Sequence, residues 1–236
     1  LTATAASPCQ DVTDSFTLTI TQAAQAYAGG DAEVCQGDSY TVNDASASAY
    51  PSLEWTHNGS GYILNAQSLT PTYVPGPDET GNVILSLEAV GMGSCENITD
   101  SMVLEITPAV TVHAGPDDEI CQDNNYIIAQ AVADNYSSIE WSTNGLGVLM
   151  DQNTLSPTYV PAIDETGTLE FVVIAYGNGS CPNRSDTLFL EITPQANANA
   201  GADITICAGE SVILSDASAS NYASILWTTS GSGVFE

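Results

Sequence analysis

Hydrophobic and polar side chains alternate over short stretches along the whole chain. Two stretches show this clearly, with apolar residues Leu169, Phe171, Val173 and Ala175 in the first and Leu188, Leu190 and Ile192 in the second. A period of two predicts strands with one buried face. In the stretch 110–195 we expect strands near 110–121, 126–132, 138–143, 146–150, 157–160, 168–176 and 186–193. No sustained helical period occurs.

The pattern repeats every 86 residues, and a fixed period must be recognised before a fold is assigned. Four series keep this spacing: Cys9, Cys95 and Cys181; Cys35, Cys121 and Cys207; Trp55, Trp141 and Trp227; and Asp31, Asp117 and Asp203. We therefore expect the end of one module in residues 1–23, complete modules in 24–109 and 110–195, and the beginning of another in 196–236. The partial modules at both ends indicate a segment of a longer array.

Seven or so short strands with a tryptophan on the third predict an immunoglobulin-like β-sandwich in each module. We expect Trp55, Trp141 and Trp227 in the cores. The linkers, such as Ile106–Pro108, contain no Gly/Ser-rich spacer, so successive modules should follow one another with limited bending and form a rod.

The charge of the chain restricts its partners. The formal net charge is −28, with one basic residue, Arg184, and no lysine. Nucleic-acid binding requires Lys and Arg, so it is excluded for this segment. No apolar run is long enough to insert into a membrane.

Acidic residues recur at module entries and in one turn. Asp31, Asp117 and Asp203 stand at the entries, and Asp78 and Asp164 occupy equivalent turns. Calcium takes six to eight oxygen ligands, so these carboxylates are candidate Ca²⁺ ligands. The competing interpretation is that each aspartate caps its own turn. Adaptation to a salty exterior would also account for the acidity.

The motifs Ala114–Asp117, Ile120–Cys121, Trp141, Pro157–Pro161 and Asn178–Cys181 resemble the PKD-like or Ig-like repeats of giant cell-surface proteins in Bacteroidota. The gliding-motility adhesins of the SprB type are the nearest comparison. This resemblance implies a secreted, extracellular filament attached at the outer membrane.

Three Asp-Ser/Thr-apolar triplets recur at the repeat period and contain Ser15, Ser101 and Thr187. They resemble the sites at which Bacteroidota O-glycosylate exported proteins, and Phe16 makes the first a weaker match. The alternative is that the aspartate caps a strand and the hydroxyl only faces solvent. Five Asn-x-Ser/Thr sequons also occur, as chance predicts in a chain of this composition.

No catalytic motif is present, and we predict that this segment is not an enzyme. The preferred function is a stalk whose modules contact neighbouring repeats of the same chain and hold a distal adhesive tip. The alternative is an array of Ig-like modules whose loops bind carbohydrate or another surface ligand.

Six cysteines at repeat spacing predict disulfides and an oxidising compartment, whereas a zinc site needs clustered ligands. In an Ig-like module, Cys121 and Cys181 fall at opposite ends of a strand, too far apart for a disulfide. We therefore favour an inter-module bond between Cys35 and Cys181 over bonds within modules. Cys95 and Cys121 would pair with adjacent modules, and Cys9 and Cys207 with cysteines outside residues 1–236.

Overall fold

The computed structural model describes residues 1–236, and every regular element in it is a β-strand. The chain divides into two units. Unit 1 comprises Leu1–Ala109 together with Gly179–Cys181, and unit 2 comprises Val110–Asn178 and Pro182–Glu236. The structure contains no helix with the length and apolar character that a membrane span requires.

The strands of unit 1 are β1 (Thr2–Ala3), β2 (Val12–Thr13), β3 (Gln25–Tyr27), β4 (Ala32–Cys35), β5 (Tyr40–Thr41), β6 (Ser46–Ser48), β7 (Leu53–His57), β8 (Tyr62–Leu64), β9 (Thr72–Val74), β10 (Gly81–Ala89) and β11 (Ile98–Thr107).

The strands of unit 2 are β12 (Thr111–His113), β13 (Asp118–Cys121), β14 (Tyr126–Ile127), β15 (Val132–Asp134), β16 (Tyr136–Thr143), β17 (Val148–Met150), β18 (Thr158–Val160), β19 (Gly167–Gly177), β20 (Arg184–Thr193), β21 (Asn197–Asn199) and β22 (Ser218–Ser220).

The strand order is that of an immunoglobulin-like sandwich. In unit 1 a four-stranded sheet has the order β4-β11-β10-β7, and β4 runs parallel to β11. The pair β3-β6 and the sheet β5-β9-β8 form the opposing layer. Unit 2 repeats this order with β13-β20-β19-β16, β12-β15 and β14-β18-β17. The all-β, Ig-like fold predicted from the sequence is confirmed.

The alternating residues supply the cores. In β19, Leu169, Phe171, Val173 and Ala175 are buried, while the residues between them lie on the other face. The same alternation on β10 and β20 closes a core around one tryptophan in each unit.

Two of the three tryptophans occupy the predicted core position. Trp55 is 3% exposed and Trp141 is 1% exposed, and their indole N–H groups donate to carbonyl oxygens at 3.0 and 3.1 Å. Trp227 is 40% exposed, so the prediction for it is wrong. Trp55 and Trp141 pair with Leu87 on β10 and Val173 on β19, and residues 196–236 contain no equivalent long strand.

Residues 14–24 form no strand, although Phe16, Leu18 and Ile20 alternate with threonines there and this pattern predicts a half-buried strand. Phe16, Leu18 and Ile20 are 88%, 73% and 87% exposed. Their equivalents on β11 are buried because β10 runs beside them along its full length. Before residue 14 only the short pair β1-β2 keeps this register, so the apolar face has no partner.

The strand predicted over 110–121 is two strands in two different sheets. β12 pairs with β15, and β13 pairs with β20. The chain changes sheet at Gly115, whose φ of +99° suits glycine, and at Pro116, which cannot donate to a ladder. The predicted strand 126–132 is also divided, because β14 ends at Ile127 and β15 begins at Val132.

Candidate functional site

The most distinctive site of unit 1 is a disulfide at the end of β4. Cys35 is the last residue of β4, lies opposite Thr107 of β11, and is 4% exposed. It is bonded to Cys181, with the two Cα atoms 4.7 Å apart and a sequence separation of 146. This is the pair favoured in the sequence analysis, and it joins two successive 86-residue repeats covalently.

A carboxylate beside the disulfide holds the segment that carries Cys181. Oε1 of Glu33 accepts hydrogen bonds from the backbone N–H of Ser180 at 2.9 Å and from the hydroxyl of Thr107 at 2.7 Å. These hydrogen bonds, that of Thr107 being the larger cause, lower the pKa of Glu33 below its ordinary value. Charge-assisted bonds are stronger than neutral ones, so Glu33 helps to hold the loop beside Cys35.

The loop has a glycine where a side chain would be excluded. A Cβ atom at Gly179 would overlap the carboxylate of Glu33, and the residue has a positive φ of +50°. Sγ of Cys181 lies 3.4 Å from the carbonyl oxygens of Thr107 and Pro108. The sequence Gly-Ser-Cys therefore fits this edge at each of its three positions.

The remaining cysteines are free thiols. Cys95 is half-buried, and its Sγ lies 3.8 Å from the carbonyl oxygen of Thr21, the position that is equivalent to Thr107. Cys9, Cys121 and Cys207 are exposed. No three Cys, His, Asp or Glu side chains form a group that could hold a metal ion.

The predicted calcium ligands are not brought together. Oδ1 of Asp31 accepts from the backbone N–H of Val103, and Oδ1 of Asp117 accepts from that of Phe189, both at 2.8 Å. These aspartates thus tie each module entry to the last long strand.

The turn aspartates lie elsewhere. Asp164 accepts from the amide of Gln122 at 3.2 Å, and Asp78 and Asp203 are exposed. Three of the five carboxylates thus accept separate hydrogen bonds, and the five do not form one cluster.

The aspartates of the candidate glycosylation triplets have a structural contact. Asp100 and Asp186 each accept a 2.8 Å hydrogen bond from a backbone N–H 72 residues earlier, at Ala28 and Ala114. That bond, which is the main cause, lowers the pKa of Asp186.

The hydroxyl-bearing residues of the same triplets differ in exposure. Ser15 and Ser101 are exposed, whereas Thr187 is half-buried. The hydroxyl of Ser101 lies 2.8 Å from that of Ser86 on the neighbouring strand. O-glycosylation at these three positions stays a prediction.

A hydrogen-bonded pair of a buried tyrosine and a glutamate, which the sequence analysis did not predict, recurs in both units. The hydroxyls of Tyr73 and Tyr159 donate to Glu79 and Glu165, each at 2.8 Å. Burial, followed by the hydrogen bond to the glutamate, raises the pKa of each tyrosine to about 12. The repeated Tyr-Val-Pro followed by Asp-Glu is the sequence signal that would have indicated it.

Comparisons with known proteins give only distant similarity. No protein-family model matches the sequence, and no curated protein matches it significantly. Among solved structures, Sidekick-1 immunoglobulin domains 1–4 match with 18% identity and a TM-score of 0.44 over 74% of this chain and 51% of that chain. Drosophila OTK extracellular domains 3–5 match with 14% identity and a TM-score of 0.45 over 73% and 62%.

The titin I-band fragment I67–I69 matches with 10% identity and a TM-score of 0.43 over 75% of this chain and 68% of that chain. The chain thus spans about half of the Sidekick-1 structure and less than two thirds of the OTK structure. At these identities and TM-scores the likeness carries no information about function.

Proposed function

We propose that this chain is part of the structural repeat region, or stalk, of a long extracellular surface filament or adhesin. One observation carries the proposal: the Cys35–Cys181 disulfide joins residues of two consecutive repeats. A bond between repeats stabilises their arrangement as an array. Within one binding module it would have no such role.

Other features support a place outside the cell. Stable disulfides occur mainly in oxidising compartments. The net charge of −28 favours solubility and opposes self-association. An origin among the giant Bacteroidota surface adhesins rests on the resemblance of the repeat motifs. The proposal includes the repeat limits 24–109 and 110–195 and assigns no catalytic role.

The stalk proposal is tested by in-frame removal of one period, residues 110–195, from the gene in the producing cell. A spacer can lose one repeat and keep its adhesive end, so we expect a shorter filament with unchanged adhesion. Loss of adhesion with normal display of the filament would contradict the proposal. Immunolabelling of intact cells with antibodies against this chain measures display.

A polar cleft in unit 2 favours carbohydrate binding as a second candidate function. Tyr136, Glu140, Asn153 and Tyr176 line it, and the Tyr176 hydroxyl donates to Glu140 at 2.8 Å. Aromatic rings beside carboxylate and amide groups suit sugar hydroxyls and ring faces. In the preceding repeat the position of Tyr176 is occupied by Val90.

Binding of the full chain to a glycan array tests this second function. If this cleft binds carbohydrate, the full chain should bind a glycan and Tyr176→Val should abolish that binding. Valine is the residue at this position in the preceding repeat. Absence of binding, or binding that survives Tyr176→Val, would leave the stalk as the function of this segment.

A further inference from the structure

The end of β13 in unit 2 has the same construction as the end of β4 in unit 1. Cys121 lies opposite Thr193 in a parallel ladder, as Cys35 lies opposite Thr107. Oε1 of Glu119 accepts from the hydroxyl of Thr193 at 2.5 Å. We call Glu119, Cys121 and Thr193 the acceptor edge.

The backbone around the acceptor edge also matches. The N–H of Gln122 donates to the carbonyl oxygen of Thr193 at 2.9 Å, and that of Gln36 donates to Thr107 at 2.8 Å. The side-chain oxygen of Gln122 accepts from the N–H of Gln195 at 3.1 Å, as Gln36 does from Ala109. The carboxylate and the cysteine are therefore held in the same local framework in both units.

The two edges differ in what their cysteines do. Cys35 is buried and bonded to Cys181, with the Ser180 N–H on Glu33. Cys121 is an exposed free thiol. Because the unit 1 edge binds a Gly-Ser-Cys loop through these same groups, it identifies the segment that the acceptor edge fits.

We propose that the acceptor edge is a docking site for the Gly-Ser-Cys loop of a further copy of this repeat. Glu119 accepts the serine N–H, the glycine allows close approach to the carboxylate, and Cys121 bonds to the loop cysteine. In the bond-forming step the two thiols lose two protons and two electrons to a disulfide oxidant. That oxidant is reduced to two thiols, and one sulfur–sulfur bond forms.

Unit 1 contains a second Gly-Ser-Cys loop, whose cysteine is a free thiol. Gly93, Ser94 and Cys95 stand at the positions of Gly179, Ser180 and Cys181, and Gly93 also has a positive φ, of +64°. A Cβ at Gly93 would meet no atom within 4 Å, whereas one at Gly179 would meet Glu33. The close contact at the glycine thus comes from the partner edge and not from the loop itself.

Cys207 provides a control inside the same chain. It is an exposed free cysteine of the same repeat series, but Thr205 replaces the glutamate and residues 200–209 form no strand. The docking proposal therefore predicts selective recognition at Cys121 and none at Cys207.

The test uses the full chain and the peptide Tyr-Gly-Asn-Gly-Ser-Cys-Pro-Asn, which reproduces residues 176–183. The peptide cysteine is carried as a mixed disulfide with 2-thiopyridine. The thiolate of a protein cysteine attacks the peptide sulfur, a new disulfide forms, and thiopyridine leaves. A scrambled peptide with the same leaving group corrects for differences in thiol reactivity, and peptide mapping measures the rate at each cysteine.

We expect the ratio of the two rates to be about tenfold at Cys121, the gain expected for one charge-assisted hydrogen bond, and about one at Cys207. Glu119→Gln, or an alanine in the peptide at the position of Gly179, should return the Cys121 ratio to about one. The Cys35–Cys181 bond shows that each variant is folded. Reduction by glutathione provides an equilibrium measurement, and the peptide on Cys121 should require about ten times more glutathione than the peptide on Cys207.

Equal ratios at Cys121 and Cys207 together with equal resistance to glutathione would overturn the docking proposal. So would a preference at Cys121 that Glu119→Gln leaves unchanged. The docking proposal rests on the stalk function and adds a second disulfide between repeats. Its failure would leave the Cys35–Cys181 bond in place, whereas failure of the stalk proposal appears as lost adhesion after removal of a repeat.

Discussion

The hydroxyl of Tyr159 donates a 2.8 Å hydrogen bond to Oε2 of Glu165, a carboxylate that is only 8% exposed. The same oxygen accepts from the N–H of Ala162, and Oε1 accepts from that of Leu146. The tyrosine hydroxyl also accepts from the N–H of Gly147 at 2.9 Å. One buried acid therefore holds two loops of unit 2 together.

Removal of this hydroxyl should destabilise unit 2. Tyr159→Phe leaves the ring in place but deprives Glu165 of a donor, so we expect the free energy of unfolding to fall by about 2 kcal/mol. Urea denaturation measures it. Tyr176→Phe, which breaks a similar bond to Glu140 at the surface, is the matched control and should leave the urea midpoint unchanged. Equal effects of the two substitutions would contradict the stabilising role of the Tyr159–Glu165 hydrogen bond.

The Glu165 contacts also predict a pH dependence. Burial alone raises the pKa of Glu165, but the hydrogen bonds from Leu146, Ala162 and Tyr159 outweigh it and lower the pKa below 4.5. A carboxyl with a lowered pKa in the folded state stabilises the protein above its unfolded pKa, and this contribution is lost as the pH falls through the folded value.

We therefore expect the stability difference between the wild type and Glu165→Gln to be greatest above about pH 5 and to shrink toward pH 2. Thermal unfolding of both proteins across this range measures it. The comparison between two proteins cancels the general effect of the net charge. A difference that stays constant with pH would show that the charge of Glu165 does not contribute.

Alanine at Gly179 should impair formation of the Cys35–Cys181 bond. Its Cβ would overlap the carboxylate of Glu33, and we expect slower oxidation in a glutathione buffer with more than four free thiols per chain. Gly93→Ala is the control, since it introduces the same kind of positive-φ strain but its Cβ would have no atom within 4 Å. Thiol titration of both variants, with mass spectrometry, distinguishes them. Normal oxidation of Gly179→Ala would show that the loop does not need the close approach.

The three tryptophans should respond differently to a neutral quencher. Acrylamide should quench Trp227 strongly, because it is 40% exposed, and should reach Trp55 and Trp141 only weakly. Trp227→Phe should therefore remove most of the quenchable fluorescence, while Trp141→Phe should remove little of it. The reverse order would place Trp227 in a core.

The sequence predicted the strands because each long strand has one buried face. Leu169 to Ala175 on β19 show the required alternation, and their burial follows it. It did not predict where a strand changes sheet, because the change at Gly115 and Pro116 depends on backbone angles that apolar patterning does not encode. The sequence pattern also predicted burial of Phe16 and Trp227, which are exposed. Burial requires a neighbouring strand, and the local pattern does not show whether one is present.

Only part of the candidate site could be predicted from the sequence. Strand order and the length of a strand limited which cysteines could meet, and this led to Cys35 and Cys181. The role of Glu33 could not be predicted, because its hydrogen-bond partner Ser180 is 147 residues away in the sequence. The acidic residues at the module entries suggested an ion, whereas the backbone N–H groups of β11 and β20 satisfy Asp31 and Asp117 directly.

The Cys35–Cys181 bond also determines how the chain would carry tension. A pull applied at both termini reaches Cys35, crosses the sulfurs and continues from Cys181, so the covalent path of the force bypasses residues 36–180. The segment between the two cysteines, which have a sequence separation of 146, could extend by roughly 500 Å as a free chain and is withheld until the bond is reduced. The bond would therefore limit how far this segment lengthens under force, while β20, which follows Cys181, remains on the loaded path.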